Sequence, residues 1–348
     1  MPAATSVGPV SPSLACAAML RSILVGTGPY FSAASPDGNW LAIVLGMGSS
    51  NQVQLVNTRT NTLVHSYTVG NGVRQLAWTP DSTTILVCNS TDNTVSKITI
   101  ATNTVSAPIA VGTDPYAVCI TPDGTSAYVA CYMSNTVTKI TIATNATAAI
   151  TTPQSVGANI LATPDGTAIF LLSHGNYLMK IVVATSAVTA IALPNTPLGL
   201  GITSDGATVW ITEGADFQPY TVATSTLGAA IPNGGDGETS GTFITADNAY
   251  VCCNDFTGSK FIIMKIAGSV VSPVNTGSLP NSAAISNAGL AYTANAGSGT
   301  VTVINIAAAS VVRTLTVSTE PAYCAYDPAT DRVYVSNTGS DTITAIAA

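Results

Sequence analysis

The sequence predicts an all-β chain that folds as a single β-propeller of four-stranded blades. Three observations predict this fold: a short motif recurs at a nearly constant spacing, several strand-length apolar runs separate its copies, and no stretch carries a helical apolar period. The chain has 348 residues, which is enough for one large all-β domain. Many short strands repeated at this spacing are typical of propeller blades.

The recurring motif is a turn built on Asp or Asn. In its commonest form, Thr-Pro-Asp-Gly, Pro presets the first turn dihedral, Asp hydrogen-bonds nearby amides and Gly accepts a positive φ, so the turn joins two strands. The motif occurs eight times, at intervals of about 40 to 44 residues: SPDG at 35–38, TPDS at 79–82, TPDG at 121–124, TPDG at 163–166, TSDG at 203–206, TADN at 245–248, SNAG at 286–289 and DPATD at 327–331. Eight blades are therefore predicted, with seven as the alternative if the sixth or seventh repeat were irregular.

The third repeat shows the four strands of one unit most plainly. Strand a is YAVCI (116–120), strand b is AYVAC (127–131) and strand c is TVTKITI (136–142), after which a short ATN turn leads into strand d. In a propeller, strand a lines the central channel and strand d lies outermost. The b-to-c and d-to-a connections then share one face, here named the loop face, and the a-to-b and c-to-d turns share the other, here named the turn face.

The two ends of the chain predict how the ring closes. The eighth repeat has strands b and c in RVYVSN (332–337) and DTITAIAA (341–348) but lacks a strand d, while residues 17–26 (AAMLRSILVG) have strand character and precede the first strand a. The N-terminal strand is therefore predicted to complete the last blade, which removes two exposed sheet edges. Residues 1–16 are predicted to be an N-terminal extension and residues 17–348 the propeller domain.

Several of the strand b segments resemble a known repeat. YVSN (334–337), YTAN (292–295) and YVAC (128–131), followed by GSDTI, GSGTV and SNTV, are similar to the repeats of YVTN-type β-propellers. The resemblance covers roughly residues 27–348 and implies a propeller fold. It also implies kinship with surface-layer and adhesive proteins, and more distantly with lactonase and streptogramin lyase propellers.

Composition and charge exclude several classes of function. Charged residues make up 8% of the chain, against about 25% in ordinary soluble domains. The formal net charge of −7 disfavours nucleic acid and anionic membranes, which attract clustered Lys and Arg. No apolar run reaches the length of a membrane helix, so membrane insertion is not expected. The seven cysteines show no zinc-type spacing and are predicted to be buried, reduced thiols.

The candidate binding residues lie on the predicted loop face. The Asp residues of the repeated turns are assigned to turn capping, which leaves the charged residues of the opposite loops as candidates for a partner or cation. The Gly-rich loop NGGDGETSG (233–241) is the strongest single feature, because long loops on rigid scaffolds often carry function. The predicted binding residues are Arg74, Asp114, His174, Glu213, Asp216, Asp236, Glu238, Asp255 and Glu320.

The predicted channel wall offers no acid–base machinery. Apart from Tyr and Cys, Arg74 is the ionisable residue that the strand a segments supply, whereas general acid–base catalysis needs positioned His, Asp, Glu or Lys. The sequence thus favours a non-catalytic structural or interaction propeller, such as a virion or surface-assembly component that contacts other proteins or a receptor. No cofactor is expected, with Ca²⁺ at the loop acids as the exception left open. The alternative function is a metal-dependent lactonase- or lyase-like enzyme.

The predicted location follows from the N-terminus. It has no basic n-region before its short apolar stretch, so no cleavable signal peptide is expected. The chain is then placed in a virion, on a cell surface reached by a non-classical route, or otherwise in the cytoplasm.

Overall fold

A computed structural model of the protein describes residues 20–132, 134–236 and 239–348. Over these residues the regular secondary structure is all β, in eight antiparallel sheets that follow one another along the chain. Each sheet is one blade, and the predicted all-β propeller of eight blades is confirmed. The seven-bladed alternative was wrong, since the sixth and seventh repeats each form a complete four-stranded sheet.

The strands of each blade occur in the chain order a, b, c, d. In blades 2 and 5 strand d is split into two short pieces that both pair with strand c. The bounds for blades 1 to 4 are Pro29–Ala34, Trp40–Leu45, Gln52–Asn57 and Thr62–Thr68; Val73–Trp78, Thr84–Asn89, Thr94–Thr99, and Thr104–Val105 with Ile109–Ala110; Pro115–Ile120, Ser126–Cys131, Thr136–Thr141 and Ala146–Thr151; Val156–Ala162, Ala168–Ser173, Tyr177–Val182 and Val188–Ala192.

Blades 5 to 8 continue the same order, and the last blade takes its outer strand from the start of the chain. Their bounds are Gly199–Ile202, Thr208–Glu213, Asp216–Thr221, and Thr226–Leu227 with Ile231–Pro232; Thr239–Ile244, Tyr250–Asp255, Lys260–Lys265 and Val270–Asn275; Pro280–Ile285, Leu290–Asn295, Thr300–Asn305 and Ser310–Thr316; Pro321–Asp327, Arg332–Asn337, Thr342–Ala347 and Arg21–Leu24.

The ring closes as predicted. Arg21–Leu24 pairs antiparallel with Thr342–Ala347, with Ile23 opposite Ile343. The Ile23 side chain is only 4% exposed and belongs to a cluster that joins blades 8 and 1. The boundary predicted between residues 16 and 17 lies outside the described residues and stays a prediction.

The hydrophobic core lies between the blades. Eight clusters of buried apolar side chains are present in the described chain, and each joins one blade to the next. Because both faces of each blade are covered by neighbours, the middle strands are apolar on both sides, as in Thr84–Asn89, which is buried throughout. This packing explains the mean hydropathy of +0.41. Across the residues described, no helix is long and apolar enough to cross a membrane.

The repeated Asp turns perform the capping role that the sequence predicted. In the third blade, Thr121 Oγ1 donates to Asp123 Oδ1 at 2.5 Å and the Thr125 N–H donates to the same oxygen at 3.0 Å. Gly124 follows with a φ of +70°, a conformation that side chains with a Cβ rarely adopt. These hydrogen bonds lower the pKa of the Asp123 carboxyl. The motif therefore specifies the turn face of the propeller.

The cysteines in the described residues are also as predicted. All six are buried and free of disulfide bonds, and Cys16 lies outside the described part of the chain. Burial raises the pKa of the Cys119 and Cys324 thiols to about 12, so both remain protonated at neutral pH. They pack as small apolar groups rather than serving as nucleophiles or metal ligands.

Candidate functional site

The channel mouth on the loop face is shaped by irregularities at the start of strand a. In seven of the eight blades the register between strands a and b shifts near the first residue of strand a. In blade 3, for example, Pro115 pairs with Cys131 and Ala117 with Ala130, which leaves Tyr116 as the extra residue. A bulge of this kind turns a side chain away from the regular alternation. Here it directs side chains into the channel.

These side chains enclose a cavity of about 390 Å³ at the centre of the ring. Strand a of every blade contributes to it, so the cavity is a property of the whole propeller. Aromatic rings and amides dominate the lining; Arg74 is its one charged residue, and no carboxylate or imidazole belongs to the described lining. The lining residues are Tyr30, Phe31, Met47, Arg74, Gln75, Tyr116, Ala158, Asn159, Leu200, Gly241, Thr242, Phe243, Asn281, Ser282, Ala322 and Tyr323.

Arg74 and His174, two predicted binding residues, are connected through a row of aromatic rings. The Arg74 guanidinium carbon lies 5.0 Å from the centre of the Tyr116 ring, a cation–π distance, and Arg74 Nε donates to Ser90 Oγ at 3.3 Å. Tyr116 is 6.0 Å from Tyr132, and Tyr132 meets the His174 ring edge-on at 4.1 Å. His174 is solvent-exposed at the rim. The row therefore runs from the channel mouth to the outer loop face.

The backbone of blade 1 also lies close to the guanidinium of Arg74. Gly48 has a φ of +74°, and a Cβ added there would lie 2.8 Å from the guanidinium carbon of Arg74. The Gly48 N–H also donates to the Val73 carbonyl oxygen at 2.8 Å. Gly48, in the loop between strands b and c of blade 1, therefore lies directly against the guanidinium of Arg74.

Asp114 and Glu320 occupy the residue before strand a in blades 3 and 8. Both have a positive φ, and their carbonyl oxygens accept hydrogen bonds from the backbone N–H groups of Tyr132 and Thr338, each at 3.0 Å. Leu279 occupies the same place in blade 7 with the same φ sign and the same type of hydrogen bond. Because an apolar side chain suffices there, the position serves the backbone turn, and the structure does not bring the two carboxylates to the cavity.

Glu213 and Asp216 face each other across strands b and c of blade 5, where they are register partners. Glu213 is fully buried, and neither of its carboxylate oxygens has a hydrogen-bond partner of good geometry. Burial raises the pKa of Glu213 to about 7, an effect opposed in part by the nearby Asn195 backbone N–H and reinforced by the Asp216 carboxylate. The sequence predicted Glu213 as a binding residue in a loop of the loop face, whereas the structure places it, buried, at the end of strand b.

The Gly-rich loop connects blades 5 and 6. Asn233, fully buried, donates from Nδ2 to the Gly214 carbonyl oxygen at 3.1 Å, and Thr239 Oγ1 donates to the same oxygen at 2.6 Å. The loop is thus attached to the turn that follows Glu213. Glu238, another predicted binding residue, lies outside the described residues together with Gly237.

Asp236 and Asp255 are brought together by a lysine. Lys260 Nζ lies 3.8 Å from Asp236 Oδ2 and 3.9 Å from Asp255 Oδ2. Asp255 is fully buried at the end of strand b, and its Oδ1 accepts a hydrogen bond from the Gly258 N–H at 2.9 Å. One lysine thus lies between two carboxylates, so this group keeps a net negative charge. No group of three or more His, Cys, Asp or Glu side chains converges as a metal site in the described chain.

The aromatic lining was not among the predicted site residues. Tyr30, Phe31 and Tyr323 project from blades 1 and 8, where the Phe31 and Tyr323 ring centres are 4.7 Å apart. The sequence contained a usable signal, because these rings occur within three residues of the start of strand a. The predicted acids that the structure describes are not among the residues lining this cavity.

No family model and no curated protein matches the chain by sequence, whereas solved structures match it by fold. The chain is similar to hydrazine synthase of Kuenenia stuttgartiensis (20% identity, 92% of this chain and 96% of that chain, TM-score 0.65). It is also similar to the dihydro-heme d1 dehydrogenase NirN in complex with DHE (12% identity, 89% of this chain and 70% of that chain, TM-score 0.72). A third similar structure is virginiamycin B lyase from Staphylococcus aureus (13% identity, 95% of this chain and 99% of that chain, TM-score 0.67). These likenesses concern the propeller fold; the YVTN-type repeat stays a prediction.

Proposed function

We propose that the chain is a non-catalytic interaction propeller, a surface-exposed component of an assembly such as a virion, that binds a protein partner or receptor through its loop face. The observation that carries the proposal is the composition of the channel mouth. Aromatic rings from several blades line the same cavity as one guanidinium, and Tyr and Arg are among the residue types that dominate binding energy at protein interfaces.

The geometry suits capture of a protruding partner segment. Tyr30, Tyr116 and Tyr323 combine an apolar ring with a polar hydroxyl, so they offer contact area and hydrogen bonds at low conformational cost. Arg74, already held by Gly48 and Tyr116, is pre-organised to pair with a carboxylate. A partner loop that presents an acidic or amide side chain to the cavity fits this arrangement.

The metal-dependent lactonase- or lyase-like alternative has less support. Virginiamycin B lyase shares the propeller fold, but at 13% identity the likeness extends to the fold alone. An enzyme of that kind would need carboxylates or imidazoles directed at the substrate, and the described lining of the cavity offers an arginine and tyrosines instead.

The experiment is quantitative affinity capture of partner proteins from the cells that produce the protein or from the virions that contain it. The tagged wild-type chain is compared with the double variant Arg74→Ala/Tyr116→Ala. We expect one or a few proteins to be enriched by the wild type and to fall at least tenfold with the double variant, because truncation of hot-spot Tyr and Arg residues each costs about 2 kcal/mol or more.

The matched control is Arg59→Ala/Tyr326→Ala, which removes the same residue types near the turn face. It should retain the partner. Unchanged capture by the Arg74→Ala/Tyr116→Ala variant, with both variants shown by circular dichroism to be folded, would contradict the proposal. Metal-dependent hydrolysis of lactones by the wild type would also contradict it, if that activity were lost in Arg74→Ala/Tyr116→Ala.

A further inference from the structure

The last residue of strand b is a polar position that recurs around the ring. In blades 2, 7 and 8 it is Asn, and its Nδ2 donates to the hydroxyls of the first and third residues of strand c at 3.1 and 2.9 Å respectively. The three sets are Asn89 with Thr94 and Ser96, Asn295 with Thr300 and Thr302, and Asn337 with Thr342 and Thr344. In each set, the Asn amide donates both hydrogen bonds and the two hydroxyl oxygens accept them.

Blade 6 replaces this amide with a carboxylate and supplies a countercharge. Asp255 takes the Asn position, and Lys260, the first residue of strand c, takes the Thr position. The Lys260 ammonium lies 3.9 Å from the Asp255 carboxylate, which also accepts the Gly258 N–H. The substitution is therefore balanced in charge.

Blade 5 makes the same replacement without a countercharge. Glu213 takes the Asn position and Asp216 takes the Thr position, directly opposite. Cβ atoms of such partners are about 5 Å apart, so like charges there repel. Asp216 Oδ2 accepts a hydrogen bond from Asn195 Nδ2 at 3.3 Å, whereas Glu213 has none of good geometry. An unpaired buried carboxylate is costly, and a positive species, either a proton or a bound cation, would remove that cost.

The surrounding space can hold that species. A cavity of about 320 Å³ opens beside the two carboxyls, lined by Glu213, Asp216 and the d-to-a loop residues Asn195, Thr196 and Leu198. We propose that Glu213 and Asp216, with the Asn195 side-chain amide, bind a divalent cation of the Ca²⁺ class. Ca²⁺ takes six to eight oxygen ligands and accepts carboxylates, amide oxygens, carbonyls and water in irregular arrangements. The two carboxylates and the amide oxygen would supply part of such a ligand set, and water the rest.

The site would also hold the loops in place. Gly214, which follows Glu213, accepts hydrogen bonds from Asn233 and Thr239 at either end of the Gly-rich loop. Cation binding at Glu213 therefore stabilises the connection between blades 5 and 6, on the same face as the channel mouth. The inference does not depend on the proposed partner binding.

The test is isothermal titration calorimetry. The full chain is first dialysed against EDTA and then against buffer without EDTA, and is titrated with CaCl₂. We expect one site per chain, and at least a tenfold weaker affinity in Glu213→Gln. Asp205→Asn, in the turn of the same blade on the opposite face, should bind calcium like the wild type.

A second variant guards against misfolding. Glu213→Asn/Asp216→Thr restores the residue pair of blades 2, 7 and 8, so it is expected to fold, to bind no calcium and to unfold at a higher temperature than the wild type in EDTA. Absence of calcium binding by the wild type would overturn the proposal, as would undiminished binding by Glu213→Asn/Asp216→Thr.

Discussion

At the scale of single residues, the recurring Asn at the end of strand b is a structural residue. Asn337 is fully buried, and its Nδ2 donates to Thr342 Oγ1 and Thr344 Oγ1. Asn337→Ala leaves those hydroxyls without their donor inside the blade. We expect a loss of about 1–3 kcal/mol in the free energy of unfolding, measured by urea denaturation.

The control for this variant is Asn176→Ala. Asn176 is an exposed residue of the blade 4 loop on the same face, where it accepts a hydrogen bond from Thr196. Its truncation should change the free energy of unfolding by no more than about 0.5 kcal/mol. Equal effects of the two substitutions would show that the buried amide has no special role.

At the scale of elements, the closing strand Arg21–Leu24 decides whether blade 8 is complete. Its two neighbouring apolar residues have opposite environments: Ile23 is 4% exposed between blades 8 and 1, and Leu24 is 75% exposed. Ile23→Ala should lower the free energy of unfolding by about 2–5 kcal/mol, since it leaves a cavity at the closure. Leu24→Ala should leave it nearly unchanged. Urea denaturation of both variants measures the difference, and similar losses would argue against closure by this strand.

The strand scale also shows what the sequence could and could not predict. The turns and blades were predictable because the Asp–Gly motif and the apolar strands repeat with one period. The bulges at the start of strand a were not, because an extra residue such as Tyr116 leaves the apolar pattern nearly unchanged. The burial of Glu213 was also missed, because a carboxylate near a loop is normally solvated, and the comparison with Asn89 requires the strand register.

At the scale of the whole molecule, the turn carboxyls and Glu213 make the free energy of unfolding change with pH in opposite directions. A Thr hydroxyl lowers the pKa of each of five turn carboxyls from the ordinary value of 3.8; these are Asp81, Asp123, Asp165, Asp205 and Asp247. Their contribution is present above the unfolded-state pKa and is lost as pH falls through the lower folded-state values. We therefore expect the melting temperature to fall below about pH 4.

Glu213 acts in the other direction. Its pKa is raised from 4.5 to about 7, so the folded state holds a proton that the unfolded state releases, and stability falls as pH rises from about 4.5 to 7. In EDTA, the wild-type melting temperature should be higher at pH 5 than at pH 8. Glu213→Gln should reduce that difference, which thermal scans at the two pH values measure. An identical difference in wild type and variant would contradict the assignment of this effect to Glu213.

We propose that the loop face and its aromatic channel mouth form the binding surface of the protein. The most direct measurement is a cryo-electron microscopy structure of the assembly isolated from its natural source. We expect a partner segment seated against Arg74 and Tyr116, with no contact between that partner and the turn face. A partner bound at the turn face, with the channel mouth empty, would show that the binding surface lies elsewhere.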